Sequence, residues 1–410
     1  MVHHTISSRM MSAASASNRI TVMRRVLQFL GAAAMAGVLA SCAVKPPPKA
    51  PAPTPATEPE LPPPGPVVDT APIGPAIERA RSRWVPVRWA DLPGFEQDNT
   101  TDAWNAWIKS CERPGLTFGR LCSEVRRLSL STVEEQRNWM KARLQPYRVE
   151  PLGGLGAPGA EGLLTSYFEP QYEASRSARP GFGAPLYRPP ATLAQRKPWF
   201  TRQEMETLPE ARAQLAGSEI AWLADPVEAL ILQIQGSGRV RVFEPDGSQR
   251  LVRLAYAATN EQPYRSPGKW LIDQGLLRGD VTWPGIRNAL AANPQALQGF
   301  LWSNPRMVFF REEPMSPLDA LFGPKGAQGV ALTPGRSIAV DPQSIPYGTP
   351  VWLSSQGPVA NLNRLVLAQD TGSAIVGAVR ADYFAGWGDE AGEFAGRMKQ
   401  PLRLWVLWPK

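Results

Sequence analysis

Residues 365–392 read LVLAQDTGSAIVGAVRADYFAGWGDEAG. The apolar run Leu365, Val366, Leu367 has strand character and delivers Asp370 to a Thr371-Gly372-Ser373 turn. A second apolar segment, Ala374 to Val376, leads to Asp382 among Val379, Ala381, Tyr383 and Phe384. A Gly386-Trp387-Gly388 turn then brings in Asp389 and Glu390. Acidic groups this close together, in apolar surroundings and separated by glycine turns, mark a site rather than a solvated face. Upstream, VALTPGRSIAVDPQSIPYGTPVWLSS (330–355) alternates apolar runs with Pro-Gly, Asp-Pro and Tyr-Gly turns, and LRLWVLW (402–408) ends the chain as a strand. Together these stretches predict a small closed β-barrel.

The chain's 410 residues leave room for two domains plus appendages. Its net charge is +8, but Arg9, Arg19, Arg24 and Arg25 fall within the first 41 residues, which hold no acid. The remaining mild basicity suits an anionic surface or polymer, and no Lys/Arg cluster interleaved with aromatics argues for nucleic acid. The only histidines are His3 and His4, ahead of the targeting segment. That excludes Ser-His-Asp and Cys-His catalysis and imidazole zinc sites, so acid–base chemistry falls to carboxylates, Lys or Tyr. No metal and no cofactor is expected.

At the N-terminus Arg24-Arg25 precedes an apolar run, Val26 to Leu39, too short to span a bilayer comfortably. The run ends in Leu39-Ala40-Ser41-Cys42, which resembles a bacterial lipobox. Residues 1–41 are therefore expected to be a lipoprotein signal peptide, with Met1 or Met23 as the start, and Cys42 the site of lipid attachment. Ala43, in place of an acid, points to the outer membrane facing the periplasm. Residues 42–77 are Pro/Ala-rich and read as an extended tether.

In the body, residues 78–150 are mostly helical by pattern, with Trp104, Trp107 and Cys111 on one helix face. Ser131-Thr132-Val133-Glu134 reads as a capping box. Cys111 and Cys122 are candidates for a disulfide; a loop of that size would contribute on the order of 3 kcal/mol, and two separate buried thiols are the other reading. Leu163 to Glu169 reads as a strand stopped by Pro170. Arg202–Ala216, Gly268–Asp273 and Trp283–Leu301 read as helices. The run from Ala229 to Val242 carries a strong β signal, with Gln233 and Gln235 on one face. Within it Gly236-Ser237-Gly238 suggests a bulge or close approach, either a saccharide-binding wall or a barrel corner.

Three chemical readings compete. Asp370-Thr371-Gly372 resembles an aspartic-protease loop, but that chemistry needs a second carboxylate and hence a homodimer. Ser266-x-x-Lys269 matches a penicillin-binding pattern that lacks its Lys-Thr-Gly companion. Asp382 suits a glycosidase acid, whose pKa must be raised by apolar surroundings and neighbouring negative charge. Simple bonding of Asp370 and Asp382 to turn amides is the structural alternative.

The C-terminal stretch occurs with LTSYFEP (164–170), PLYRPP (185–190), EIAWLADPVEA (219–229), QIQGSGRVRV (233–242), YRSPGKWLIDQG (264–275), NPRMVFF (304–310) and PGRSIAVDPQSIPYGTPVWL (334–353). In that order they closely resemble the membrane-bound lytic murein transglycosylase A family, over roughly Trp84–Trp408. The resemblance implies a mainly β fold with added helices. A double-psi β-barrel catalytic domain would be built from 78–170 and 301–410, with a smaller β domain, 171–300, inserted and a groove between. It implies cleavage of the β-1,4 bond between N-acetylmuramic acid and N-acetylglucosamine, leaving 1,6-anhydro ends. Asp382 would be the single acid and base, supported by Asp370 and Asp389, with Tyr167, Gln235, Ser237 and Arg239 as sugar contacts. The loop between Asp370 and Asp382 is one residue longer than the family pattern. Expected partners are peptidoglycan strands and, through the lipid, a membrane, with other cell-wall enzymes as candidates. A non-catalytic peptidoglycan-binding lipoprotein is the second reading, and a cellulase-like hydrolase the third.

Overall fold

Among the described residues, two short strands and four α-helices come before the first strand of the site, Gly162–Glu169, is reached by way of Leu144–Pro151. In the computed structural model, which describes residues 74–153 and 161–410, β1 (Ile77–Glu78) and β2 (Ser82–Pro86) lead into helices α1 (Thr101–Ser110), α2 (Leu116–Gly119), α3 (Cys122–Arg127) and α4 (Val133–Arg143). Strands β3 (Leu144–Pro151) and β4 (Gly162–Glu169) follow. Next come β5 (Gln171–Ser175), β6 (Ala184–Tyr187), α5 (Arg202–Thr207), α6 (Pro209–Leu215) and β7 (Glu219–Leu223). Helix α7 (Pro226–Gln235), β8 (Ser237–Phe243) and β9 (Gln249–Thr259) lead to α8 (Pro267–Asp273), α9 (Trp283–Ala292), α10 (Leu297–Ser303) and β10 (Val308–Pro314). The last third holds β11 (Ser337–Val340), β12 (Pro350–Ser355), β13 (Leu362–Asp370), β14 (Arg380–Trp387), α11 (Gly388–Arg397) and β15 (Lys399–Pro409).

β15 closes the barrel. Its first residues pair with β4 (Lys399 opposite Thr165), its last with β3 (Trp405 opposite Arg148), and β12 runs along it as well. The ring is β15-β12-β13-β11-β14-β4 and back to β15, with β3, β2 and β1 extending it. β11–β13 and β14–β4 pair parallel and the other ring pairs antiparallel, the mixture of a double-psi barrel. Alternation sorts the side chains. Val366, Ala368, Leu404 and Val406 fill the interior, whereas Leu365, Leu367, Trp405 and Leu407 face outward beneath the helices. There Trp104, Trp107 and Trp139 meet with ring centroids within 5.5 Å. A disulfide, S–S 2.02 Å, joins Cys111 at the end of α1 to Cys122 at the start of α3.

The second sheet runs β10-β9-β8-β5-β7-β6 around its own core of Leu186, Leu223, Val240, Val252, Leu254 and Phe310. Here the structure corrects the sequence reading. Residues 226–235 are a helix, so Gln233 and Gln235 do not share a strand face. Asp225 caps it by accepting from the Val227 N–H, Pro226 sits in its first turn, and Gly236 ends it at φ 84°. Those start and stop signals outweigh the β preference of Ile231 and Ile234. The protein's own packing favours glycine at 238, since a Cβ there would lie 2.8 Å from the buried Leu232 side chain, which would have to shift. Pro209 splits the expected 202–216 helix in two. The capping box falls one residue later than expected, Thr132 with Glu135. Ser266 caps α8 by accepting from the Lys269 N–H, which accounts for that pairing.

Two buried arginines join the sheets. Glu169, fully buried at the end of β4, accepts from Arg239 Nε at 2.8 Å and Arg253 Nε at 2.5 Å. The same guanidiniums donate to the carbonyls of Ala320 and Phe322, on the segment returning to the barrel. The leader, Cys42 and the tether up to residue 73 lie outside the described residues, as does the glycine-rich stretch 154–160. Among the described residues no helix is long and apolar enough to cross a membrane.

Glu169→Gln keeps the side chain's size and leaves both guanidiniums without a counter-ion. The unfolding free energy, measured by urea titration, is expected to fall by about 3–5 kcal/mol; a fall below about 1 kcal/mol would show that the two arginines need no carboxylate.

Candidate active site

Asp382 lies in β14 between Ala381 and Tyr383, which point into the barrel core, so its own side chain points out. The parallel neighbour β4 places Thr165 opposite Asp382 and Tyr167 opposite Phe384. On the other side, Ala339 of β11 is opposite both Asp382 and Asp370. The two aspartates therefore flank one residue at one level, with α-carbons separated by two strand spacings, about 10 Å.

Hydrogen bonds make this a connected site. Thr165 Oγ1 donates to Asp382 Oδ1 in a short contact and accepts from Arg380 Nη2 at 2.9 Å. Two residues along β4, Tyr167 Oη donates to Asp370 Oδ2 at 2.8 Å. The Ala327 N–H donates to Asp370 Oδ1 at 2.9 Å. Because the Thr165 oxygen accepts a hydrogen bond from arginine, its own O–H is directed at Oδ1 of Asp382. Oδ2 is left as the position for the acid's proton.

Burial pushes the Asp382 carboxyl up to about 6, against the opposing Thr165 bond and Arg380 charge, with Asp370 adding to the rise. Asp370 is also raised, by burial, although the Tyr167 bond and the N–H groups of Thr371 and Ala327 resist it. Burial, then the Asp370 charge, raises the Tyr167 hydroxyl well above the usual phenol range and keeps it a donor. Burial lowers Arg380, with Asp382 opposing. On the second-sheet side, Tyr264 between β9 and α8 is raised by burial, and the Asp382 charge acts on it too.

The other expected residues fall elsewhere. Asp389 is exposed in the first turn of α11, and its charge acts on Tyr172 and Glu228 rather than on Asp382. Gln235 Oε1 accepts from the Phe168 N–H at 3.0 Å and so fastens the end of β4. Ser237 is buried at the start of β8. Arg239 is buried, paired with Glu169 and packed over Trp387, its guanidinium carbon 3.9 Å from the ring centroid. Thr165 and Arg380 were missed by sequence reasoning. The signal was alternation, since each lies two residues from an expected site residue on the same strand face.

Two family models match the chain, the MltA specific insert domain over residues 163–311 and the 3D domain over residues 336–408. Membrane-bound lytic murein transglycosylase A of Vibrio cholerae is 30% identical over 289 residues, 67% of this chain and 74% of that protein. The chain belongs to the membrane-bound lytic murein transglycosylase A family. Among solved MltA-like structures, the lytic transglycosylase LtgG of Burkholderia pseudomallei is 42% identical with a TM-score of 0.56, covering 83% of this chain and 98% of that one. MltA from Neisseria gonorrhoeae is 28% identical with a TM-score of 0.67, covering 85% and 98%. The insert-domain match begins in β4 and ends in β10, while the 3D match takes in the strands bearing both aspartates.

The raised Asp382 carboxyl carries a stability signature. Folded, it keeps its proton up to about pH 6; unfolded, it loses it near 3.8, so the folded state is penalised as pH rises through that window. Asp382→Asn is expected to melt higher than wild type at pH 8, the difference disappearing below about pH 4. Equal melting temperatures at pH 8 would contradict a raised carboxyl.

Proposed function

We propose that this member of the lytic murein transglycosylases cleaves the β-1,4 bond between N-acetylmuramic acid and N-acetylglucosamine and leaves 1,6-anhydromuramoyl ends, with Asp382 as its single acid and base. One observation carries the reading: among the described residues only one oxygen of Asp382 is tied, by Thr165, and burial pushes the carboxyl up to about 6, while both oxygens of Asp370 are tied, to Tyr167 and the Ala327 N–H. A hydrolase with two working carboxylates would need the second one free to activate water or to attack the sugar.

In the proposed reaction the proton on Asp382 Oδ2 passes to the glycosidic oxygen as the bond from that oxygen to muramoyl C1 breaks. The muramoyl 6-hydroxyl attacks C1, and its proton returns to Oδ2. Atoms balance without water, and the carboxyl is regenerated in its starting form. Thr165 holds Oδ1 throughout, and Arg380 faces the carboxylate while the proton is away. Tyr167 keeps Asp370 in place as the neighbouring negative charge that favours the protonated acid. Tyr264, on which the Asp382 charge acts, belongs to the inserted unit; we extend that unit from the expected 171–300 to Pro314, because β10 pairs with β9. We further propose attachment through lipidated Cys42 at the outer membrane, with the Pro/Ala-rich tether giving reach towards peptidoglycan.

Digestion of purified sacculi, read by mass spectrometry, tests the reading. Wild type is expected to release products one water lighter than hydrolysis would give, and Asp382→Asn to be slower by about 10²–10⁴-fold. Reducing-end products would make the enzyme a hydrolase; binding without release by either protein would make it a glycan-binding lipoprotein.

The pH profile adds a second check. Activity needs the protonated acid, so it is expected to decline as pH rises through about 6. Thr165→Val removes a bond that lowers the pKa of Asp382 and is expected to move that decline to higher pH. A decline at unchanged pH would mean that Thr165 does not tune the acid.

A further inference from the structure

Two cavities lie apart from the aspartates and meet at Arg364. One, about 580 Å³, is walled by Tyr383, Trp387 and Phe394, with the exposed Glu390 also on its lining. The other, about 430 Å³, is walled by Gln97, Asn99 and Asn363 and by Asp98 and Arg336, whose charges pair with each other at 2.8 Å. Arg364 lines both. It stands six residues before Asp370 on β13, about 20 Å along the strand. Tyr383 points to the opposite side of β14 from Asp382.

The polar groups at this junction are only partly used. Arg364 Nη1 donates to Tyr383 Oη at 2.6 Å. Among the described residues its buried Nε–H has no partner, and neither has the buried Oδ1 of Asn363. Buried polar atoms are almost always paired, so an orphaned donor and an orphaned acceptor on residues lining one cavity call for a ligand that supplies both complements. The guanidinium edge bearing Nε is one that can grip a carboxylate with two parallel bonds. Asn363 Oδ1 asks for a hydroxyl or amide N–H. The aromatic wall offers flat apolar surface to one face of a ring.

We propose that this double cavity is a second saccharide site, selective for an amino sugar with a free carboxylate: Arg364 takes the carboxylate and Asn363 accepts from the ring's polar substituents. The proposal rests on the peptidoglycan reading and extends it. A muramoyl residue has a free lactyl carboxylate only when its stem peptide is absent, so the site would favour peptide-free glycan and hold it away from the point of cleavage.

Calorimetric titration of the full chain with N-acetylmuramic acid, N-acetylglucosamine and muramoyl dipeptide tests this. Wild type is expected to bind N-acetylmuramic acid at least about tenfold more tightly than N-acetylglucosamine. Arg364→Gln is expected to abolish that preference, and Arg364→Lys to lose most of it, because charge alone does not replace the fork. Should Arg364→Gln melt early, Asn363→Ala leaves the Arg364 contacts intact and is expected to weaken N-acetylmuramic acid binding several-fold. Equal affinity for the two sugars, or a preference that survives Arg364→Gln, overturns the proposal. Tighter binding of muramoyl dipeptide than of N-acetylmuramic acid also overturns it, by assigning the carboxylate to peptide. Digestion of sacculi by the wild-type protein, run alongside, reports on the reaction separately, so failure of the second site and failure of the peptidoglycan reading give different results.

Discussion

A carboxylate with no access to water, Glu169, sits between two guanidiniums, and both passages of the chain between its sheets are fastened there. β4 ends at Glu169 and β5 begins two residues later, so the outward passage is pinned by the anion itself. The inward passage is pinned by the carbonyls of Ala320 and Phe322, which accept from the same arginines. Burying three charges is expensive, and replacement by well-packed apolar groups is often no less stable. What such a cluster supplies is fixed geometry: the donors of a guanidinium fork lie in one plane and tolerate little displacement. Arg239 also stacks on Trp387, at the end of the strand carrying Asp382, so the anchor and the acid share a rigid element.

From that rigidity comes the electrostatics of the acid. Burial raises Asp382, and a group raised by burial alone would be indifferent to where its proton sits. The Arg380–Thr165 chain removes the indifference by committing one oxygen as an acceptor. Arg380 works in two directions: its charge lowers the pKa of Asp382, while its hydrogen bond orients the hydroxyl beside it. The balance leaves the carboxyl near 6, between a permanent acid and a permanent anion.

How much of this was legible in the sequence depended on whether the deciding contact was local. The barrel strands could be read because Val366 and Ala368 alternate with Leu365 and Leu367, a pattern set by the chain's own pleat. Tyr167, Asp370 and Asp382 were recognisable as polar groups in such runs. The Ala229–Val242 segment went wrong because a Leu/Ile run suits a buried helix as well as a strand; Asp225-Pro226 and Gly236 were the better guides. Asp389 was placed at the site by nearness along the chain, but α11 starts at Gly388 and turns it to solvent. The pairing of Arg239 with Glu169 joins residues 70 apart, and no periodicity records such a partner.

The bond from Thr165 to Asp382 spans 217 positions of sequence. Contacts so distant form late, since a long loop must close before they return any energy, and folds rich in them fold slowly. β4, which supplies Thr165 and Tyr167, gains its ring neighbours β14 and β15 only when nearly the whole chain has been made. A truncated or half-folded molecule therefore has an aspartate on a strand but no oriented acid. For a protein whose proposed substrate is the wall that holds the cell together, topology itself delays the onset of activity until folding is complete.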